Sequence, residues 1–154
     1  VSTDAPIIRL NLFGNRSMPL LSLRGRPRHT GLTKGQLNSC PSSPNCVCSD
    51  DRKPGRGIDP LILLVDPGQA WPVVVHTVAS GARTRIVNDS ENYLHAEVTS
   101  GFFGFVDDLE LHLRPADRMI AVRSASRLGY SDFGVNRARI EHLRALLQEQ
   151  KIVR

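Results

Sequence analysis

The sequence predicts an α+β fold: two helices packed on a four-stranded antiparallel meander, in the order α-β-β-β-β-α, with a long irregular N-terminal arm. An apolar stripe of helical period comes first, a period of two follows it, and an amphipathic helical pattern ends the chain. With 154 residues and 40% hydrophobic content, the chain has room for one core. We therefore expect an extended basic arm over residues 1–35 and a single α+β domain over residues 36–154.

The first 60 residues hold seven of the ten prolines and show no sustained helical or strand period, which is typical of an arm and loops. Basic residues in the arm contribute to the formal net charge of +5. Because such an arm has no core of its own, we expect it to lie along a protein partner or a membrane-associated complex. The chain begins at Val1 rather than Met, which indicates a processed precursor or a truncated chain.

The first helix is predicted after the apolar run at residues 61–65, which is itself a short buried strand or the approach to the helix. Asp66 followed by Pro67 is typical of a helix start, and Gly81 would end the helix. Apolar residues between them repeat at helical spacing and would form one buried stripe: Trp71, Val74, Val75 and Val78.

The period then changes to two, and apolar residues alternate with polar ones in four short segments. Such alternation on short connections predicts an antiparallel meander with one face covered. The segments are residues 83–87, 93–99, 108–114 and 119–125.

The last pattern, from Val135 to residue 150, predicts an amphipathic helix whose apolar face lies on the sheet. Its apolar positions are Ile140, Leu143, Leu146 and Leu147.

The composition argues against two features, a nucleic-acid partner and a transmembrane segment. Only 5% of the residues are aromatic and no nucleic-acid-binding motif is present, so we expect no nucleic-acid partner. No run of about 18 apolar residues occurs, so we expect no transmembrane segment.

Three cysteines, Cys40, Cys46 and Cys48, lie within nine residues, in a spacing that matches no common zinc motif. In an oxidising compartment a Cys40–Cys46 disulfide would close the loop and leave Cys48 as a free thiol. Free buried thiols and a metal site remain as alternatives.

A second constellation depends on the register of two strands. If Val98 lies opposite Leu109, then His95 faces His112 and Glu97 faces Glu110 on the outer side of the sheet, where they could bind a transition metal. The alternative is a solvated face on which Arg123 pairs with Glu110. We expect no bound metal and no cofactor, with this quartet as the weaker alternative.

The segment RSASRLGYSDFGVNRAR, residues 123–139, gathers many short polar and basic side chains at the start of the last helix. Capping that helix needs Ser131 or Asp132 alone, whereas arginines near a helix start also suit an anion. Two interpretations fit these residues. One is a structural corner, meaning that the side chains of residues 123–139 satisfy the backbone of their own turn, and the other is a ligand or partner site. The candidate binding residues are Arg123, Ser124, Ser126, Arg127, Ser131, Asp132, Asn136 and Arg137, with Asp107 and Asp108.

Four segments together resemble the domain-of-unknown-function 1499 family: CPSSPNCV at 40–47, YLHAE at 93–97, FGFVDDLEL at 103–111 and VRSASRLGYSDFGVNRARIEHLR at 122–144. Members occur in bacteria and plastids and commonly carry a signal or a membrane anchor. No activity is established for the family, so the resemblance implies a fold and a compartment rather than a mechanism. Cys48 departs from the serine that members often have at this position.

These observations favour a non-catalytic subunit in the periplasm or the plastid (thylakoid) lumen, accessory to a membrane-associated assembly. No nucleophilic triad and no glycine-rich phosphate loop is identified. The alternative is an enzyme or carrier that holds a small anion with Arg123, Arg127 and Arg137. His95, Asp107 or Asp108 would then serve as acid or base.

Overall fold

The computed structural model describes residues 29–101 and 104–154, so the predicted arm lies outside the described residues except for residues 29–35. The predicted α+β class is confirmed, with more strands than the four expected. In chain order the elements are β1 (Leu32–Thr33), β2 (Gln36–Leu37), β3 (Cys46–Cys48), β4 (Leu61–Ile62), α1 (Pro67–Ala79), β5 (Thr84–Asp89), β6 (Tyr93–Thr99), β7 (Val106–Arg114), β8 (Met119–Ser126) and α2 (Val135–Glu149).

The four predicted strands form the antiparallel meander β5-β6-β7-β8. Both β3 and β4 pair with β8 along its far side and extend the sheet to six strands. A separate hairpin joins β1 to β2 through Lys34 and Gly35, which both have positive φ, as a two-residue hairpin turn requires. Strands of two or three residues are too short to show a period, which is why residues 29–60 were expected to contain only loops.

Both helices begin where side chains supply the missing hydrogen-bond acceptors. Asp66 accepts from the Gly68 N–H at the start of α1, with Pro67 in the first turn, as expected. At the start of α2, Asp132 accepts from the backbone N–H groups of Gly134 and Asn136. Of the two residues expected to serve this helix start, Ser131 or Asp132, Asp132 accepts from the Asn136 N–H, although the N-cap position itself is Gly134 and makes no side-chain cap hydrogen bond. No helix in the described ranges is long and apolar enough to cross a membrane.

The main core lies between the two helices and the sheet, where Leu94, Leu111, Ile120 and Ile140 are fully buried. A second cluster lies on the opposite face and joins Leu37 and the three cysteines to small residues of β8. Both faces of the sheet are thus covered, whereas the sequence predicted one. The reason is that Ala121 and Ala125 leave room for residues 37–48 to pack there.

The assumed register of β6 and β7 was wrong by two residues. His95 lies opposite Glu110 rather than His112, and Glu97 lies opposite Asp108 rather than Glu110. The assumption matched apolar residues on the inner face, but the structure places Asp107 there opposite Val98. A charge is tolerated at this position because Arg139 of α2 pairs with Asp107.

Candidate functional site

The candidate binding residues divide between the two faces of the sheet. Successive residues of a strand point to opposite faces. Arg123 therefore lies on the outer face, and Arg127 just beyond β8 joins it there, whereas Ser124 and Ser126 face α2. The polar segment at residues 123–139 consequently serves two separate networks.

On the outer face, Arg123 pairs with Glu110, its cross-strand neighbour, and both side chains are buried. The second carboxylate oxygen of Glu110 accepts from the Tyr93 hydroxyl at 2.8 Å and from the Gly31 N–H at 2.6 Å. Burial, and next the Glu110 charge, raise the pKa of Tyr93 far above its usual range. The Arg123–Glu110 pair expected on a solvated face is present, but it is enclosed.

The same face carries a longer chain of ion pairs centred on Arg127. Its Nε and Nη2 donate to the two oxygens of Asp108 at 3.0 and 2.7 Å, and Nη2 also donates to Glu97 at 2.7 Å. His95 lies 2.7 Å from Asp108 through Nε2, and Arg85 extends the chain by pairing with Glu97. Two carboxylates therefore already balance the charge of Arg127.

The pKa values of these acids follow from their contacts. Burial alone would raise the pKa of Asp108, but hydrogen bonds from His95 and Arg127 outweigh it and hold that pKa below its usual range. The pKa of Glu97 is lowered in the same way, because hydrogen bonds from Arg127 and Arg85 outweigh burial. Both acids are thus charged at neutral pH and act as fixed partners of Arg127.

The four residues considered as metal ligands do not gather into a free set. Glu110 and Glu97 are paired with arginines, and His95 is paired with Asp108. His112 lies beside Arg114, and burial, followed by that charge, lowers the pKa of His112. Within the described ranges, no group of three or more His, Cys, Asp and Glu side chains is suited to a metal ion.

On the opposite face, the buried Asn136 ties α2 to the sheet. Its Nδ2 donates to the Asn45 carbonyl, to Ser126 and to Asp132 at 2.8–3.0 Å, while its Oδ1 accepts from the Ser124 hydroxyl. Arg139, absent from the candidate residues, bonds Ser124 and Asn136 through Nη1 and Asp107 through Nη2. These contacts serve the corner itself.

Ser131 and Arg137 are the candidate residues most open to solvent. Arg137 donates to the Gly57 carbonyl at 2.7 Å, and Ser131 accepts from the Phe133 N–H. A small cavity of about 150 Å³ lies beside them and is also lined by Cys46 and Asp132. This is the place where a small solute could reach the predicted corner.

The sequence reasoning missed an exposed apolar surface at the same corner, which we call the apolar tip and which consists of Tyr130, Phe133 and Val135. Phe133 is 96% exposed and Tyr130 is 76% exposed. Phe133 also has a φ of 53°, in the left-handed region that bulky residues avoid. Two aromatic residues within the turn GYSDFGV were the available signal.

The cysteines adopt the first of the arrangements considered. Cys40 and Cys46 form a disulfide, which confirms that prediction, and Cys48 is free and buried in the same cluster. Burial raises the pKa of the Cys48 thiol to about 11, so the thiol is protonated and unreactive at neutral pH.

A comparison with protein families identifies one match: a model described as "Protein of unknown function (DUF1499)" covers residues 36–147, well over half of the chain. This confirms the resemblance noted from the sequence. No curated protein and no solved structure matches significantly. The matched range contains both ion-pair networks, the disulfide and the apolar tip.

Proposed function

The chain belongs to the DUF1499 family of proteins of unknown function, and from this premise we propose that it is a non-catalytic accessory subunit outside the cytoplasm. It docks on a protein partner in a membrane-associated assembly. The observation that carries this proposal is the apolar tip, where Phe133 is almost fully exposed and Tyr130 largely so. An exposed cluster of large apolar side chains typically marks an interaction surface.

The backbone at Phe133 strengthens the argument. A residue with a Cβ in the left-handed region costs roughly 1–2 kcal/mol relative to its ordinary conformation. Neither core cluster includes Phe133, so this side chain contributes little to packing that could offset the cost. Strain at an exposed aromatic residue is expected where a partner rather than the fold uses the side chain.

The chemistry of the tip favours a protein surface over a lipid surface. Residues 128–136 contain one acid, Asp132, and no lysine or arginine, and the exposed Arg137 that follows them donates to the Gly57 carbonyl. Helices and loops that bind anionic lipid place Lys or Arg beside their aromatic residues. The centres of protein interfaces instead enrich Tyr and Phe and exclude charge.

The corner beneath the tip supports a binding role rather than catalysis. Arg127 and Arg139 are held by carboxylates, and Asn136 is satisfied by four hydrogen-bonding partners besides its contact with Arg139. Because these groups are bonded to one another, they hold the residues on either side of the tip in place. A surface held rigid before contact loses less entropy on binding.

The disulfide supports the proposed compartment. Structural disulfides persist in oxidising compartments such as the periplasm and are rare in the cytosol. The proposed location is the periplasm or the plastid (thylakoid) lumen, with the protein associated with the membrane through its partner. The basic arm over residues 1–35 would provide a second contact with that partner.

The test is affinity capture of the tagged full chain from membranes solubilised in mild detergent. We compare the wild type with Phe133→Asn, with Tyr130→Ser and with a chain lacking residues 1–30. Leu64→Asn is the matched control, because Leu64 is 54% exposed and lies outside the tip. We expect one stoichiometric partner with the wild type and the control, at least tenfold less with either tip variant, and weaker capture without the arm.

Phe133→Asn separates lost binding from lost folding. Asparagine tolerates the left-handed region, so the free energy of unfolding of this variant should be about 0.5–1 kcal/mol higher than that of the wild type. A more stable protein that no longer captures its partner would support the proposal. Equal capture by the wild type and both tip variants would refute it.

A second candidate function is a carrier or enzyme for a small anion at the corner, favoured by the 150 Å³ cavity beside Arg137. Calorimetry with inorganic phosphate tests it directly. Saturable binding that Arg137→Gln abolishes, without loss of thermal stability, would support this function. The absence both of heat and of any thermal stabilisation at millimolar phosphate would exclude phosphate as its ligand.

A further inference from the structure

A larger cavity lies between α1, α2 and the sheet, away from the apolar tip. Its volume is about 280 Å³. The deepest part is apolar and is formed by the buried side chains of Val78, Leu109 and Leu143. The cavity is thus a hydrophobic recess between a helix pair and a sheet, a common location for small-molecule sites.

The mouth of this cavity is polar, and the arginine that lines it, Arg139, is paired with Asp107. Arg139, His142 and Thr84 line it, and no Asp or Glu is among the lining residues. Arg139 uses Nη1 for Ser124 and Asn136 and Nη2 for Asp107, which fixes the plane of its guanidinium. Its Nε–H donates to no acceptor within residues 29–101 and 104–154.

We propose that this cavity binds an amphipathic monocarboxylate, a medium-chain fatty acid. The carboxylate accepts the free Nε–H of Arg139, and the alkyl chain lies on Val78, Leu109 and Leu143. A charge-assisted hydrogen bond at the mouth gives orientation, while the apolar recess supplies contact area. The volume is at the small end for ligand sites, so a ligand of roughly ten heavy atoms fits, which describes octanoate.

The position of Arg139 links this site to the fold without making it part of the docking surface. Arg139 lies one turn into α2, whereas the tip precedes the helix or lies at its first residue. Asp107 holds the guanidinium from the sheet side, so a ligand meets an arginine that is already oriented. The proposal is therefore independent of the docking function, and either can fail alone.

The experiment is a ligand titration monitored by methyl NMR, with octanoate, octanol and octylammonium as the ligands. These share an eight-carbon skeleton and differ in the charge and hydrogen-bonding groups of the head. We expect shifts in the methyl groups of Val98, Leu109, Leu143 and Leu146, with octanoate binding roughly tenfold or more tightly than octanol, as one charge-assisted hydrogen bond implies. Equal affinity for all three probes, tighter binding of octylammonium, or no shifts at these methyl groups would overturn the proposal.

Three variants locate the site. Arg139→Gln should reduce octanoate affinity roughly tenfold or more and leave octanol affinity unchanged, which also shows that the cavity remains folded. Ala82→Trp should block both ligands, because Ala82 lies at the exposed rim and the larger ring closes the mouth. Arg144→Gln, on the same helix but outside the cavity, is the matched control and should bind like the wild type. Undiminished octanoate binding by Ala82→Trp would place the ligand elsewhere and refute the assignment.

Discussion

Replacing Asp108 by asparagine tests whether the buried ion pairs hold the outer face of the sheet together. Asp108 accepts three hydrogen bonds, two from Arg127 and one from His95. Its side chain is 2% exposed and that of Arg127 is 3% exposed. Asparagine keeps the shape but has one acceptor oxygen, and it places an NH₂ group against a donor. The variant therefore leaves part of a buried positive charge without its partner.

The expected loss is large for a change of so few atoms. Removing one member of a buried ion pair costs about 3–5 kcal/mol, because the remaining charge stays buried without compensation. Glu97 still pairs with Arg127, so we expect the lower end, about 3 kcal/mol. For a chain of this length, that loss lowers Tm by about 6–12 °C.

The assay is urea and thermal unfolding followed by circular dichroism at pH 7. Arg85→Gln is the control, because Arg85 belongs to the same chain of ion pairs but its side chain is 63% exposed. An exposed pair contributes about 0–1 kcal/mol, so this control should change Tm little. A loss below about 1 kcal/mol for Asp108→Asn would refute the argument that Asp108 balances a buried Arg127.

Two further predictions concern the cover of the outer face and its charges. Replacing Cys40 and Cys46 by alanine opens a loop with a sequence separation of six residues. Chain-entropy arguments then give a decrease of about 2 kcal/mol in the free energy of unfolding, which urea unfolding measures. An unchanged urea midpoint would contradict this prediction. Because the folded pKa values of Asp108, Glu97 and Asp132 are lowered, their contribution to stability is present above the unfolded pKa of about 4 and is lost as pH falls through the folded values. The urea midpoint should therefore fall between about pH 5 and pH 2, and by less in Asp108→Asn than in the wild type; equal acid sensitivity would show that Asp108 is not a source of it.

The parts of the fold that the sequence predicted are those with a sustained period. Residues 93–99 matched β6 to the residue, and α2 begins at Val135 as expected. The short strand β3 was missed because three residues cannot display alternation, whereas β4 lies in the apolar run at residues 61–65 that was expected to be a short buried strand or the approach to the helix. They are strands only because β8 offers them free hydrogen-bonding groups, and that is a property of the assembled sheet.

The candidate site was predicted in composition but not in arrangement. The residues around 123–139 do meet acids, yet β8 divides them between two faces, and which acid meets which arginine depends on register. A register error of two residues kept each side chain on its face and changed its neighbour, so Glu97 was assigned to Glu110 instead of Asp108. Arg139 was overlooked because its partner Asp107 precedes the strand predicted at residues 108–114, so no pattern placed Asp107 opposite α2.

The buried charges and the disulfide explain each other. The outer face presents Glu110, Arg123 and Asp108, so it offers an apolar segment little apolar surface to pack against. The covering residues nevertheless enclose these groups, and the Cys40–Cys46 bridge restrains the cover while mutual pairing offsets part of the desolvation penalty of the buried charges.

The Cys40–Cys46 disulfide reaches the corner that carries Phe133, since Cys46 lines the same small cavity as Asp132, and a left-handed Phe133 persists only where the surrounding structure holds its backbone. The fold itself does not use that side chain, because it packs in neither core cluster. A strained, exposed aromatic ring that the fold does not use is what the proposed docking role predicts. For that reason capture by Phe133→Asn, a variant expected to gain stability, is the most informative single measurement on this protein.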